Sequence, residues 1–126
     1  MEDKRLDQYM KTHKKSETFS DMMIRLIRES GLDEAEVYKR ARIDRRLFSK
    51  IRSDKDYHPT LHTVVALALA LHMTNANAKV LIKSAGYILS SRSDFALLIR
   101  YCFENTIYNI DAVNILLHEK GLPTLN

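Results

Sequence analysis

The side chains best suited to chemistry in this sequence are basic, and they are concentrated between residues 39 and 55. This stretch, KRARIDRRLFSKIRSDK, sets eight Lys and Arg residues against Asp44 and Asp54, a net charge of +6, whereas the whole chain carries +4. Positive charge gathered on one short element is typical of a surface that binds phosphate. The alternative is an ordinary solvated helix face, because Lys and Arg are common on protein surfaces.

The residue patterns that support catalysis are missing from the sequence. It has no Gly-rich phosphate loop, no Gly-x-Ser-x-Gly elbow and no His-Glu-x-x-His motif. Glu34 and Glu36 are two residues apart on a predicted helix, so their carboxylates cannot face each other as an acid-base pair. His58, His62 and His72 have no Cys or acidic partner at metal-site spacing. We therefore expect a protein that is not an enzyme, with no catalytic residue, no metal site and no cofactor.

The composition predicts that helices carry the basic residues. Hydrophobic residues make up 45% of the 126 residues, and only three Gly and two Pro interrupt them, a mixture that favours helices over hairpins. Cys102 is the single cysteine, which fits a reducing cytoplasm. The N-terminus lacks the apolar core of a signal peptide, and the longest apolar run, Val64 to Leu71, is too short to span a bilayer. We expect an all-α, soluble, cytoplasmic protein.

Apolar spacing and capping residues predict the helices around the basic stretch. Residues 1–17 form a charged amphipathic arm, with Leu6, Tyr9, Met10 and His13 on one helical face. A helix from Phe19 to about Ser30 is capped by Thr18 with Asp21 and ended by Gly31. Asp33 caps a second helix that ends near Arg42, and Asp44 caps a third, Arg45 to Arg52. The third helix should bury Leu47, Phe48 and Ile51.

Four further helices are predicted beyond the basic stretch. Thr60 caps one from Leu61 to His72 that is apolar almost all round, as a central buried helix would be. Asn75 opens a helix through Ala85, closed by Gly86. Ser93 caps the next helix, whose inward face includes Cys102. The last helix, roughly Asp111 to Lys120, stops at Gly121.

The order of these elements resembles the Cro and phage-repressor family of helix-turn-helix proteins, also called the Xre type. The resemblance covers Met22 to Thr74 and follows the family's spacing without gaps as far as Ser53. His58-Pro59-Thr60 stands where the family has Asn-Pro-Ser before its fourth helix. The resemblance implies a five-helix DNA-binding domain over residues 18–87, followed over residues 88–126 by one or two C-terminal helices that pack on the core or dimerise it.

The resemblance also assigns roles to the basic residues. Asp44 takes the N-cap of the recognition helix, and Arg45, Arg46, Ser49 and Lys50 take the positions that contact base edges. Arg binds the two major-groove acceptors of guanine bidentately, and Lys can donate to them as a point charge. The flanking positions predicted to contact phosphates are Arg40, Arg42, Arg52 and Lys55.

Three positions depart from the family pattern. Glu34 replaces a Gln that hydrogen-bonds a phosphate, so its carboxylate is expected to repel DNA. Tyr38 replaces the small Ala that lets the two motif helices approach. Arg42 replaces the Gly of the turn, at a cost of about 1 kcal/mol if this residue has a positive φ.

Two hypotheses follow for function. The first is a transcriptional regulator that binds double-stranded DNA through a basic recognition helix, with a homodimer reading two half-sites. The second is a non-enzymatic interaction module, such as an antitoxin or an adaptor in a bacterial or phage assembly. On the same scaffold it would use its basic face, or the arm Leu6 to His13, to hold an acidic protein partner.

Overall fold

The computed structural model describes residues 3–14 and 17–126, and within these ranges every regular element is an α-helix. This confirms the predicted all-α class. The eight described helices are α1 (Lys4–His13), α2 (Phe19–Ser30), α3 (Glu34–Arg40), α4 (Arg45–Ser53), α5 (Leu61–Ala70), α6 (Asn75–Ser84), α7 (Asp94–Glu104) and α8 (Ile110–Glu119).

Side-chain caps fix where the helices begin. Thr18 and Asp21 form the predicted capping box, in which the Thr18 hydroxyl accepts from the Asp21 N–H at 3.1 Å. The caps predicted at Asp33, Asp44, Thr60 and Ser93 are confirmed. Helix α8 begins at Ile110, one residue before the predicted start, because the Asn109 side chain accepts from the Ala112 N–H at 3.0 Å.

Two helices end two residues earlier than the sequence predicts, for the same reason. Helix α3 stops at Arg40 and α5 at Ala70, whereas the predicted ends were Arg42 and His72. Arg42 has φ 58° and His72 has φ 53°, so each stands in the left-handed conformation that terminates a helix. In both turns the residue that follows the left-handed residue donates its N–H to a carbonyl of the last helical turn. The Ile43 N–H, for example, donates to the Tyr38 carbonyl at 2.9 Å.

Helix α5 is the centre of the hydrophobic core, as its uniformly apolar sequence predicts. Every residue from Val64 to Ala70 is buried, and α3, α6 and α8 pack on this helix. Helix α2 packs on α4 and α6, and α7 packs on α6 and α8. Cys102 is buried on the inner face of α7, and this burial raises the pKa of its thiol to about 11.

The N-terminal arm differs from the other helices because α1 has no buried residue. It is a helix over Lys4–His13, as predicted for the arm at residues 1–17, of which residues 1–2 and 15–16 lie outside the described residues. In the described part of the chain, none of the helices combines the length and the apolar character needed to cross a membrane.

Candidate nucleic-acid interface

Helix α4 is held in place by its apolar face. Phe48 and Ile51 are 3% and 1% exposed, which confirms their predicted orientation, and Leu47 is half-buried against the same core. The Asp44 carboxylate accepts from the Leu47 N–H at 2.7 Å and so satisfies an N–H of the first turn. Packing and capping together fix the direction in which the opposite face points.

The opposite face of α4 carries the four residues predicted to contact bases. Arg45, Arg46, Ser49 and Lys50 are all exposed. Neither arginine forms an ion pair with any residue in the described ranges. The two guanidinium groups therefore remain available to an external acceptor.

Lys50 has an intramolecular partner of a different kind. Its ammonium lies 4.8 Å from the centroid of the Tyr57 ring, a cation–π contact. Tyr57 follows α4 in the turn before α5 and is half-buried. Because the ring is apolar and uncharged, this contact orients Lys50 while leaving its positive charge unneutralised.

The turn between α3 and α4 consists of four residues, Ala41 to Asp44. Arg42 has the positive φ that favours Gly at this position of the family pattern, so the strain cost foreseen for an arginine applies here. Tyr38 on α3 is half-buried, and its ring lies 5.4 Å from that of Phe48 on α4. The larger side chain at position 38 therefore fills the space between the two helices.

The C-terminal part of the chain supports this turn. The Arg42 guanidinium is 2.7 Å from the Asp111 carboxylate at the start of α8, and the Asn126 side-chain amide donates to the Arg42 carbonyl at 3.1 Å. Sequence reasoning did not identify Asp111 or Asn126, since they lie 69 and 84 residues from Arg42 and no local pattern links them to it.

All four residues predicted to contact phosphates form ion pairs within the chain. Their side chains are 43% to 64% exposed, so each pair contributes little stability and can exchange for another anion. The pairs are Arg40 with Glu36 at 3.7 Å, Arg42 with Asp111 at 2.7 Å, Arg52 with Glu34 at 2.9 Å, and Lys55 with Asp21 at 3.3 Å.

The Glu34 carboxylate has a specific partner in this arrangement. Glu34 is the first residue of α3, and its pair with Arg52 joins that end of α3 to the last turn of α4. The sequence predicts only repulsion between Glu34 and a phosphate. In the structure the same carboxylate also neutralises a cation that was assigned to a phosphate.

The Asp21 carboxylate, which pairs with Lys55, is stabilised in its ionised form. Its pKa is lowered mainly by the hydrogen bond from the Thr18 side chain, and next by its contact with Lys55. The Ser20 hydroxyl donates to the Arg52 carbonyl at 2.9 Å. The N-terminus of α2 is thus attached to the C-terminal end of α4 by both an ion pair and a hydrogen bond.

Arg40 and Arg42 line a groove that involves the C-terminal helices. The groove has a volume of about 750 Å³ and is also lined by Lys39, His72 and Tyr108. The His72 and Tyr108 rings stack with centroids 4.5 Å apart, and the Tyr108 hydroxyl donates to the Met73 carbonyl at 3.0 Å. Both arginines therefore lie beside the segment between α7 and α8 as well as beside the turn.

In the described ranges, His, Cys, Asp and Glu side chains form no group of three or more that could hold a metal ion.

Comparison with known proteins does not identify a family for this chain: no family model, curated protein or solved structure matches it significantly. The helix-turn-helix resemblance accordingly stays a hypothesis that depends on the residues and contacts described above.

Proposed function

We propose that this protein is a non-enzymatic DNA-binding transcriptional regulator that reads the major groove of double-stranded DNA with α4. One observation carries the proposal. Arg45 and Arg46 project from a rigidly packed helix, are exposed, and form no ion pair with the described residues. A buried face that fixes the helix, and an opposite face whose arginines form no ion pair with the described residues, are the features that a recognition helix needs.

The base-contacting roles follow from the chemistry of this face. Arg45 and Arg46 would bind guanine O6 and N7 bidentately, and Ser49 would donate to a base or accept from one. Lys50, held over the Tyr57 ring, would donate to a guanine acceptor. Each correct bidentate contact discriminates against other bases by about 1 to 3 kcal/mol.

The phosphate-contacting roles require an exchange of partners. Arg40, Arg42, Arg52 and Lys55 would each release a carboxylate in order to bind a phosphate. Exposed ion pairs contribute only about 0 to 1 kcal/mol, so breaking them costs little. Arg42 has an additional role in the turn, because its carbonyl accepts from Asn126.

The five-helix repressor core would correspond to α2–α6 in this proposal. The four-residue turn, the positive φ of Arg42 and the buried fourth helix of that unit, α5, support the assignment. Two copies of the chain would be needed to read two half-sites one helical turn apart.

The direct test is a titration of duplex DNA at several salt concentrations, followed by fluorescence anisotropy. If Arg40, Arg42, Arg52 and Lys55 all exchange their carboxylates for phosphates, the slope of log K against log salt should be about −3.6, whereas exchange of two of them would give about −1.8. Either slope supports DNA binding. No binding to any duplex at low salt would reject it.

A matched pair of variants makes this test specific to α4. Arg45→Ala with Arg46→Ala should abolish selection of a preferred site from a random duplex pool. Lys79→Ala with Lys83→Ala removes the same charge from exposed positions of α6 and should leave site selection intact. Equal losses for the two double variants would mean that only net charge matters.

The second candidate function is the interaction module, and the four internal ion pairs favour it specifically. In this alternative the pairs replace phosphate anchoring, and the basic face of α4 holds an acidic segment of another protein. A wild-type protein that fails to bind duplex DNA at low salt but retains an acidic peptide would support the module.

A further inference from the structure

Helix α1 presents an apolar surface that has no partner among the described residues 3–14 and 17–126. Leu6, Tyr9 and Met10 are 52%, 61% and 58% exposed, and the His13 ring extends the same face by stacking on Tyr9 at 4.0 Å. A ten-residue helix is marginally stable in water when it packs on nothing. The apolar face of α1 is therefore expected to pack on another surface.

A second apolar surface lies between α7 and α8. It is a groove of about 600 Å³ whose apolar lining consists of Leu97, Leu98 and Tyr101 from α7 with Leu116 and Leu122. Leu97 and Tyr101 are 45% and 55% exposed. An amphipathic helix that inserts residues i, i+3, i+4 and i+7 into such a groove is a recurrent mode of protein recognition, and Leu6, Tyr9, Met10 and His13 have this spacing.

The chain segments that carry the two surfaces have opposite net charges, while Asp94 and Lys120, the charged residues that line the groove, cancel each other. Residues 3–14 carry a net +2, from Lys4, Arg5, Lys11 and Lys14 against Asp3 and Asp7. Residues 93–126 carry a net −2, from Asp94, Glu104, Asp111 and Glu119 against Arg100 and Lys120. Complementary charge speeds association and disfavours pairing of either surface with itself.

We propose that α1 of one copy of this chain packs in the α7–α8 groove of a second copy, and that the second copy returns the same contact. Within one chain both surfaces are exposed, so neither covers the other. Reciprocal exchange makes two identical contacts and closes the assembly as a symmetric dimer. The proposal does not depend on DNA binding.

Three single substitutions at exposed positions test the contact. Met10→Asp places a charge on α1, and Leu97→Asp places one in the groove. Val80→Asp is the matched control, because Val80 is 56% exposed on α6 and lines neither surface. Sedimentation analysis over a range of concentrations should show a dimer for the wild type and for Val80→Asp. The other two variants should each raise the dissociation constant by at least about tenfold, because a charge in an apolar contact is costly.

Mixing the two defective variants identifies which surfaces meet. Met10→Asp keeps an intact groove and Leu97→Asp keeps an intact α1, so an equimolar mixture can restore one of the two contacts. The mixture should therefore associate more strongly than either variant alone. At concentrations where the wild type is monomeric, circular dichroism and thermal unfolding should be close to wild type for all three variants, since none of the changed side chains is buried.

Three results would overturn the proposal. A wild-type protein that stays monomeric at every concentration would show that a second copy does not occupy the groove. A Met10→Asp variant that dimerises like wild type would show that α1 does not lie in the dimer contact. A mixture that associates no better than its components would show that α1 and the groove do not meet.

Discussion

The basic residues of this protein fall into two groups that the charge of the sequence does not distinguish. On the outward face of α4, Arg45 and Arg46 have no ionic partner among the described residues. Before that helix, in its last turn and just after it, four cations are each paired with a carboxylate, at distances of 2.7 to 3.7 Å. Half of the eight cations between residues 39 and 55 are therefore locally compensated.

This difference bears on how the surface would recognise a polyanion. A uniformly free basic stretch would attract phosphate everywhere, and its binding would depend mainly on salt. Pairing of four cations with carboxylates lowers the general attraction for phosphate. It leaves the unpaired charges of Arg45 and Arg46 on the face that would meet base edges. The contribution of sequence-specific contacts to binding should be correspondingly larger.

The largest expected effect comes from weakening the buried packing that holds α4, and therefore its outward face, in place. Phe48→Ala deletes a ring that is 3% exposed and packs on Tyr38, and should lower the free energy of unfolding by about 3 to 5 kcal/mol. Urea denaturation measures this loss. Phe48→Leu should cost less because it keeps most of the volume. A Phe48→Ala protein as stable as wild type would mean that α4 is not held by its apolar face.

The second prediction compares the two groups directly. Arg46→Ala should weaken binding to a preferred duplex by about 1 to 3 kcal/mol and binding to random DNA by much less. Lys55→Ala removes a cation of the paired group and should weaken binding to both duplexes slightly and equally. Fluorescence anisotropy measures the affinity of each variant for each of the two duplexes, relative to wild type.

Thermal unfolding supplies the control for this comparison. Neither side chain is buried, so neither variant should unfold cooperatively at a much lower temperature. Equal losses for both variants on every duplex would remove the distinction between the two groups of cations.

A smaller effect is expected from releasing one of the paired cations. Glu34→Gln removes the carboxylate that holds Arg52 at 2.9 Å, and should strengthen DNA binding by about two- to fivefold at low salt, in the range of exposed charge pairs. The gain should shrink as salt is added and be the same for all sequences.

Glu36→Gln is the matched control for this prediction, because it removes the same charge from the Arg40 pair at 3.7 Å. If the position of Arg52 matters, Glu34→Gln should give the larger gain. Identical gains would indicate a simple change in net charge, and an unchanged affinity for Glu34→Gln would place Glu34 away from the duplex.

The smallest effect concerns the pair between Asp21 and Lys55. The pKa of Asp21 is lowered in the folded protein from its usual 3.8, so its contribution to stability is present above that pH and is lost as the pH falls through the folded value. Asp21→Asn should flatten the dependence of thermal stability on pH in this acidic range. An identical pH profile for wild type and variant would show that the carboxylate is not stabilised by folding.

Local sequence determined much of the helical framework. Capping side chains such as Thr18, Asp33, Asp44 and Ser93 act within three residues of their own position, so they can be identified without knowing the fold. The inward direction of Phe48 and Ile51 follows from helical periodicity. The basic outward face of α4 was predictable for the same reason, because it is the opposite side of the same short helix.

Tertiary structure decided the partners of three of the four paired cations, whereas Arg40 pairs with Glu36 at i,i+4 spacing within α3. Arg42 meets Asp111 across 69 residues of sequence, and Arg52 meets Glu34 because α3 packs on α4. Such pairs depend on how separate helices are placed, and no spacing rule within one helix encodes them. The short-range pattern therefore fixed the faces of each helix and the Arg40–Glu36 pair, whereas long-range packing fixed the other three pairs.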